Sequence, residues 1–142
     1  MKKLKKRILA MSAALVMSMS MFSIGANADT QTYTKSDSYN KLYCSGGETT
    51  TNYYVTYSKG TNKTSSSRYL VVNAILYNGT SSSLSILSTN TSSANTSSGS
   101  SRSCYANGGA SNVYMSYHRS LLFKSTTGDS GTKSVITKYF YY

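Results

Sequence analysis

The chain has 142 residues, with 15 Lys and Arg against 4 Asp and Glu, a single His, and a formal charge of +11. Pro and Trp are absent, while Tyr occurs 14 times and Cys twice. This length holds one domain comfortably, and four carboxylates with one imidazole leave little material for acid–base or metal chemistry.

The N-terminus reads as an export segment. Lys2, Lys3, Lys5, Lys6 and Arg7 form a basic start, residues 9–25 are apolar and interrupted by serines, and Ala26-Asn27-Ala28 places small residues where a signal peptidase reads them. A membrane-spanning helix wants about 20 uninterrupted apolar residues, so cleavage after Ala28 is expected, with no transmembrane span after processing. The mature chain is then a single secreted, extracellular domain over residues 29–142. It keeps 10 cations against 4 acids, a net +6. These cations are scattered and form no run of the kind that marks a nucleic-acid tail. A dispersed positive field favours anionic surface polymers. No lipobox cysteine or wall-sorting tail is present, so a released monomer is expected.

Ser and Thr exceed a third of residues 29–142, and helix formers are few, which points to an all-β chain. "TYTK" and "KLYCS" read as short strands around "SDSYN", with Gly46-Gly47 closing that hairpin. Thr49–Tyr57 alternates as one strand, followed by a turn at "KGTNK". Arg68–Tyr77 is the clearest strand: Leu70, Val72, Ala74 and Leu76 form an apolar face and Tyr69, Val71, Asn73, Ile75 and Tyr77 a mixed one. Asn78-Gly79 is a hairpin signal, and Ser83–Ser88 is the partner strand. Residues 88–103, rich in Ser and Thr, read as a loop that gains strand character near Cys104. A strand over Asn112–Lys124, a turn at "STTGDSG" and a last strand from Thr132 complete seven or eight strands. The expected architecture is a small antiparallel β-sandwich, with a partly open barrel as the alternative.

Cys44 and Cys104 both fall in the exported part, so an intramolecular disulfide is the expected default. Their separation of 60 positions would make it worth roughly 4 kcal/mol by chain entropy. No His or Cys cluster accompanies them, and no metal or cofactor is expected.

His118 lies in the strand "NVYMSYHRSLLF". If Val113 and Met115 point inward, His118 faces solvent beside Ser116 and Ser120, and a bulge near His118-Arg119 turns Arg119 outward. A Ser-His-Asp triad would have to draw on Asp29, Asp37, Glu48 or Asp129, and no Gly-x-Ser-x-Gly elbow exists. No enzyme is expected. Tyrosines combined with cations suit sugars and glycan polymers, and the candidate contacts are Tyr114, His118, Arg119, Tyr139 and Tyr141. The expected partner is an anionic cell-wall polymer, a glycan or a surface protein, with nucleic acid disfavoured.

The layout resembles small secreted Ser/Thr/Tyr-rich β proteins of Gram-positive bacteria. The "SNxY…YH" stretch at Ser111–His118 and the paired tyrosines at Tyr139–Tyr142 are also similar to the lactococcin 972-type bacteriocins. That resemblance implies a cationic, tyrosine-rich β-sandwich acting on cell-wall precursor, and makes a bacteriocin-like antibacterial protein the alternative to a binding module. This chain departs from the pattern in its length, its two cysteines and its lack of Trp, and no site residue is carried over.

Overall fold

A computed structural model describes residues 30–142, so the expected export segment and its cleavage site lie outside the described residues. Eight strands form two antiparallel four-stranded sheets. Sheet A has the order β1 (Gln31–Ser36), β2 (Asn40–Thr50), β3 (Tyr53–Asn62), β6 (Ser101–Gly109). Sheet B has the order β5 (Ser83–Thr96), β4 (Arg68–Thr80), β7 (Val113–Phe123), β8 (Thr132–Tyr141). The all-β, antiparallel expectation holds, and the eight strands divide evenly between the two layers.

Three local expectations are corrected. Residues 49–57 do not make one strand. The chain reverses after Thr50, with Asn52 at φ 59°, where the short Asn side chain tolerates the left-handed conformation. "KGTNK" is not a turn, because β3 runs on through Gly60 to Asn62. A Cβ at Gly60 would stand 2.4 Å from the Ser120 Oγ and 2.8 Å from a Val72 methyl of the opposite sheet. Gly60 therefore lets the sheets approach. The Ser/Thr-rich segment is mostly strand: β5 continues to Thr96, pairing residue by residue with β4 from Leu76↔Ser88 to Arg68↔Thr96, and only Ser97 to Ser100 connect it to β6. A long apolar strand supplies a full ladder of backbone groups, and an edge strand of small hydroxyl residues can complete it without a buried face of its own.

The expected disulfide is absent, and the register explains why. Cys44 pairs with Ser58, and Ser58 pairs with Cys104. One strand lies between the thiols. Adjacent strands are about 4.8 Å apart, so the two Cα atoms lie about 10 Å apart, beyond the roughly 7 Å limit for a bridge. Both thiols are free and buried. Burial pushes Cys44 up to about 12 and Cys104 to about 11, which keeps them protonated and unreactive. The Cys104 Sγ donates to the Val72 carbonyl at 3.3 Å.

The cysteines belong to separate apolar clusters. Cys104 packs with Leu70, Val72, Ala74, Ala106 and Leu122. Cys44 packs with Leu42, Ile136 and Phe140, flanked by Tyr33 and Tyr142. Between them runs a polar seam made by the facing central strands. β3 contributes Thr56, Ser58 and Asn62, and β7 contributes Ser116, His118 and Ser120, all buried.

Candidate functional site

His118 is fully buried, at 0% exposure, so it faces the interior rather than solvent and is not a ligand contact. Its Nδ1 is 2.9 Å from the Ser58 Oγ, and its Nε2 lies 3.1 Å from the Thr56 Oγ1 and 2.9 Å from the Ser116 Oγ. Phe140 meets the ring edge-on at 4.9 Å. Ser116 also bonds the Tyr142 hydroxyl at 2.8 Å. Desolvation lowers the His118 pKa to about 4; a backbone hydrogen bond with Tyr57 opposes the shift, and the Lys138 charge adds to it. The imidazole is therefore neutral at physiological pH, one nitrogen donating and the other accepting, and each of its three hydroxyl partners can take whichever role the tautomer leaves. This arrangement joins the two sheets.

The rest of the seam follows the same logic. Asn40, fully buried on β2, donates to the Ser120 carbonyl at 3.0 Å and accepts from the Ser120 Oγ at 2.8 Å. Asn62 donates to the Ser66 and Thr96 carbonyls, both at 2.8 Å, and accepts from the Thr64 hydroxyl and amide. Every polar group here has a partner in the other sheet or in a neighbouring loop, as buried polar groups require.

The bulge sits at a different place from the one expected. Tyr77 pairs with Met115 and Asn78 with Val113, so Tyr114 is the extra residue. The strand shifts parity there. Val113 and Met115 are both buried, and then Ser116, His118, Ser120 and Leu122 point inward. Arg119 consequently faces outward without a bulge of its own.

The outer face of sheet B brings together four of the five candidate contacts. Tyr139 and Tyr141 are 44% and 58% exposed. Tyr141 meets Tyr114 edge-on at 5.8 Å, and Tyr139 lies against Tyr117 at 5.0 Å. Arg119 stands in the middle of the face, its Nε donating to the Asn73 Oδ1 at 2.9 Å, while the Asn73 amide donates to the Thr91 Oγ1 at 2.7 Å. This relay ties the guanidinium to two neighbouring strands. Cross-strand rows surround it: Val71–Leu121–Val135 on one side and Ile75–Tyr117–Tyr139 on the other, followed by Tyr77–Met115–Tyr141. Burial raises the Tyr117 pKa, a shift partly offset by the Arg119 charge and by the hydrogen bond between the two side chains. Tyr117 and Asn73 were missed as site residues. The signal was the mixed outer face of Arg68–Tyr77, which needed only a partner strand with the same polarity.

The described carboxylates serve turns. Asp37 accepts from the amides of Tyr39 and Asn40 and from the Ser134 hydroxyl, and Glu48 accepts from the Asn52 amide. Among the described residues no group of three His, Cys, Asp or Glu side chains is placed to hold a metal, and no helix is long and apolar enough to cross a membrane.

No protein-family model matches the chain, and no curated protein matches it. Among solved structures it is similar to a β-glucuronidase from glycoside hydrolase family 2, at 6% identity and a TM-score of 0.39, over 80% of this chain and 11% of that one. A likeness this distant, over so small a part of that protein, assigns no activity.

Proposed function

We propose that this chain is an exported, noncatalytic binding module that holds a glycan-bearing polymer of the cell surface on the outer face of sheet B. The observation that carries this reading is the Arg119–Asn73–Thr91 relay set among exposed tyrosines. Tyrosine rings offer rigid apolar area to the C–H faces of sugar rings, and their hydroxyls meet the sugar oxygens. A guanidinium already held by Asn73 loses little freedom when it receives a hydroxyl or carboxylate. The basic N-terminus followed by an apolar run and Ala-Asn-Ala supports export. The noncatalytic reading rests on the imidazole being sealed inside and on Asp37 and Glu48 being committed to turns.

The test is sedimentation of the purified protein with isolated Gram-positive cell walls. The wild type should co-sediment, and the Tyr139→Ala/Tyr141→Ala double variant should bind at least about thirtyfold more weakly, since aromatic anchors carry roughly 1–2 kcal/mol each and about 1.4 kcal/mol is tenfold. Absence of wall binding by the wild type, or equal binding by the variant, would overturn the reading and turn attention to a protein partner.

A further inference from the structure

The outer face of sheet A has a different chemistry. Lys41 pairs with Thr61 and Tyr43 with Lys59 across β2 and β3. The two ammonium groups therefore occupy one diagonal of a rectangle and two hydroxyl side chains the other. These four residues line a groove of about 240 Å³. Hydroxyls extend the row on both sides: Lys41 is opposite Ser36 on β1, and Thr61 is opposite Ser101 on β6, with the Thr61 and Ser101 hydroxyls bonded at 2.8 Å. Lys63 stands at the same edge, its ammonium donating to the Ser36 hydroxyl at 2.7 Å.

Among the described residues no carboxylate lines this groove, and the Asp37 charge meets that of Lys63 at its edge. Asp37 and Glu48 are engaged as above, and Asp129 lies in the turn between β7 and β8. Diagonal side chains on neighbouring strands start about 7–8 Å apart at Cβ, and lysine stems are flexible. Both ammonium groups can therefore converge on one anion between them. A diagonal pair of like charges with no partner is unfavourable alone and favourable around an anion.

We propose that this groove is a second binding site, on the face opposite the aromatic one, and that it takes the phosphodiester group of a polyol-phosphate polymer. Lysine acts as a point charge and suits a tetrahedral phosphate; a carboxylate is better matched by the planar fork of arginine. A phosphodiester has two free oxygens for the two ammonium groups, and the Thr61 and Tyr43 side chains line the same groove. Stacked bases do not suit the face, because Tyr43 and Tyr57 meet edge to face at 6.1 Å and 61° rather than offering parallel surfaces. The site is independent of the glycan reading, and either can fail without the other.

The test is calorimetric titration of the purified protein with defined poly(glycerol phosphate), with a polyglucuronate as the carboxylate polymer, and with oligo(dT). The expected result is binding of poly(glycerol phosphate) that falls with salt, at least tenfold weaker in the Lys41→Gln/Lys59→Gln variant. Loss of two phosphate contacts lowers the log–log salt slope by about 1.5. Both lysines are exposed, so an unchanged melting temperature is expected and verifies the fold of the variant. The Tyr139→Ala/Tyr141→Ala variant should bind this polymer as the wild type does. The proposal is overturned if the wild type does not bind poly(glycerol phosphate), if the lysine variant binds equally, or if polyglucuronate or oligo(dT) binds as tightly.

Discussion

β4 and β7 lie side by side in sheet B, paired from Leu70↔Leu122 to Asn78↔Val113, and they send opposite chemistry to the interior. β4 turns Leu70, Val72, Ala74 and Leu76 inward, all at 0% exposure. β7 turns Ser116, His118 and Ser120 inward and keeps Tyr117, Arg119 and Leu121 on the outside. The difference teaches that in a thin sandwich the central strand can be the polar one. Apolar bulk sits to either side of the middle, over β4 and β6 and over β2 and β8. Small hydroxyls opposite Gly60 and Gly46 let the two sheets close in, where a Cβ at Gly46 would stand 2.3 Å from the Tyr142 hydroxyl.

Substitutions on the two strands should separate these roles. Leu70→Ala on β4 is expected to have the largest effect, about 4 kcal/mol, because a fully buried leucine leaves a cavity in the apolar cluster; denaturant unfolding at neutral pH measures it. A cost under 1 kcal/mol would mean that the apolar flank does not carry the fold.

Between about pH 7.5 and 4, acid should act through β7. The folded-state pKa of His118 is about 4, below its ordinary 6.5, so the unfolded chain takes up a proton first as pH falls. The stabilisation is complete above about pH 6.5, declines between 6.5 and 4, and levels off below. The loss is about 3 kcal/mol at 1.36 kcal/mol per pH unit. Asp37, whose pKa is lowered by its hydrogen bonds from Ser134, Tyr39 and Asn40 and by the Lys63 charge despite the opposing effect of burial, contributes only below about pH 4. Stability measured from pH 7.5 to 4 should therefore slope in the wild type and be flat in His118→Leu. A slope retained in the variant would place the acid sensitivity elsewhere.

The smallest effect is expected at Ser120→Ala, at about 1–2 kcal/mol. It leaves the Asn40 carbonyl oxygen buried without its donor while the Asn40 amide still reaches the backbone. A double-mutant cycle with Asn40→Ala should show coupling of at least 0.5 kcal/mol, and additivity would mean that the two residues act separately.

The same pair of strands shows what was legible beforehand. Arg68–Tyr77 could be read directly, because its two faces differ in polarity and the apolar one goes inward. Asn112–Lys124 was read with the same rule and came out reversed, since Val113 and Met115 are the apolar residues at its start and nothing local marks Tyr114 as a bulge. The bulge depends on β4, through the register slip between Tyr77 and Asn78. Gly60 looked like a turn for a similar reason: what demands a glycine there is the Ser120 hydroxyl of the other sheet. Among the candidate contacts, Tyr139 and Tyr141 were legible as residues of the last strand, whereas Arg119 was turned outward by a bulge that the strand does not have there, and the Lys41–Lys59 diagonal needed the β2–β3 register. The disulfide expectation failed on register too, since sequence separation says nothing about the strand that comes between.

That intervening strand sets an order of events for the chain. Before sheet A exists, the thiols of Cys44 and Cys104 are joined only by a flexible segment and are free to meet. Once β2 and β6 have both paired with β3, Ser58 stands between them and the thiols are buried. A bridge made early would bar one of those pairings, so in an oxidising compartment the native state is reached only if strand pairing outruns thiol oxidation. β-sandwiches fold in milliseconds to seconds and disulfides form in seconds to hours. The race favours the native fold, and it narrows for any variant that slows β3.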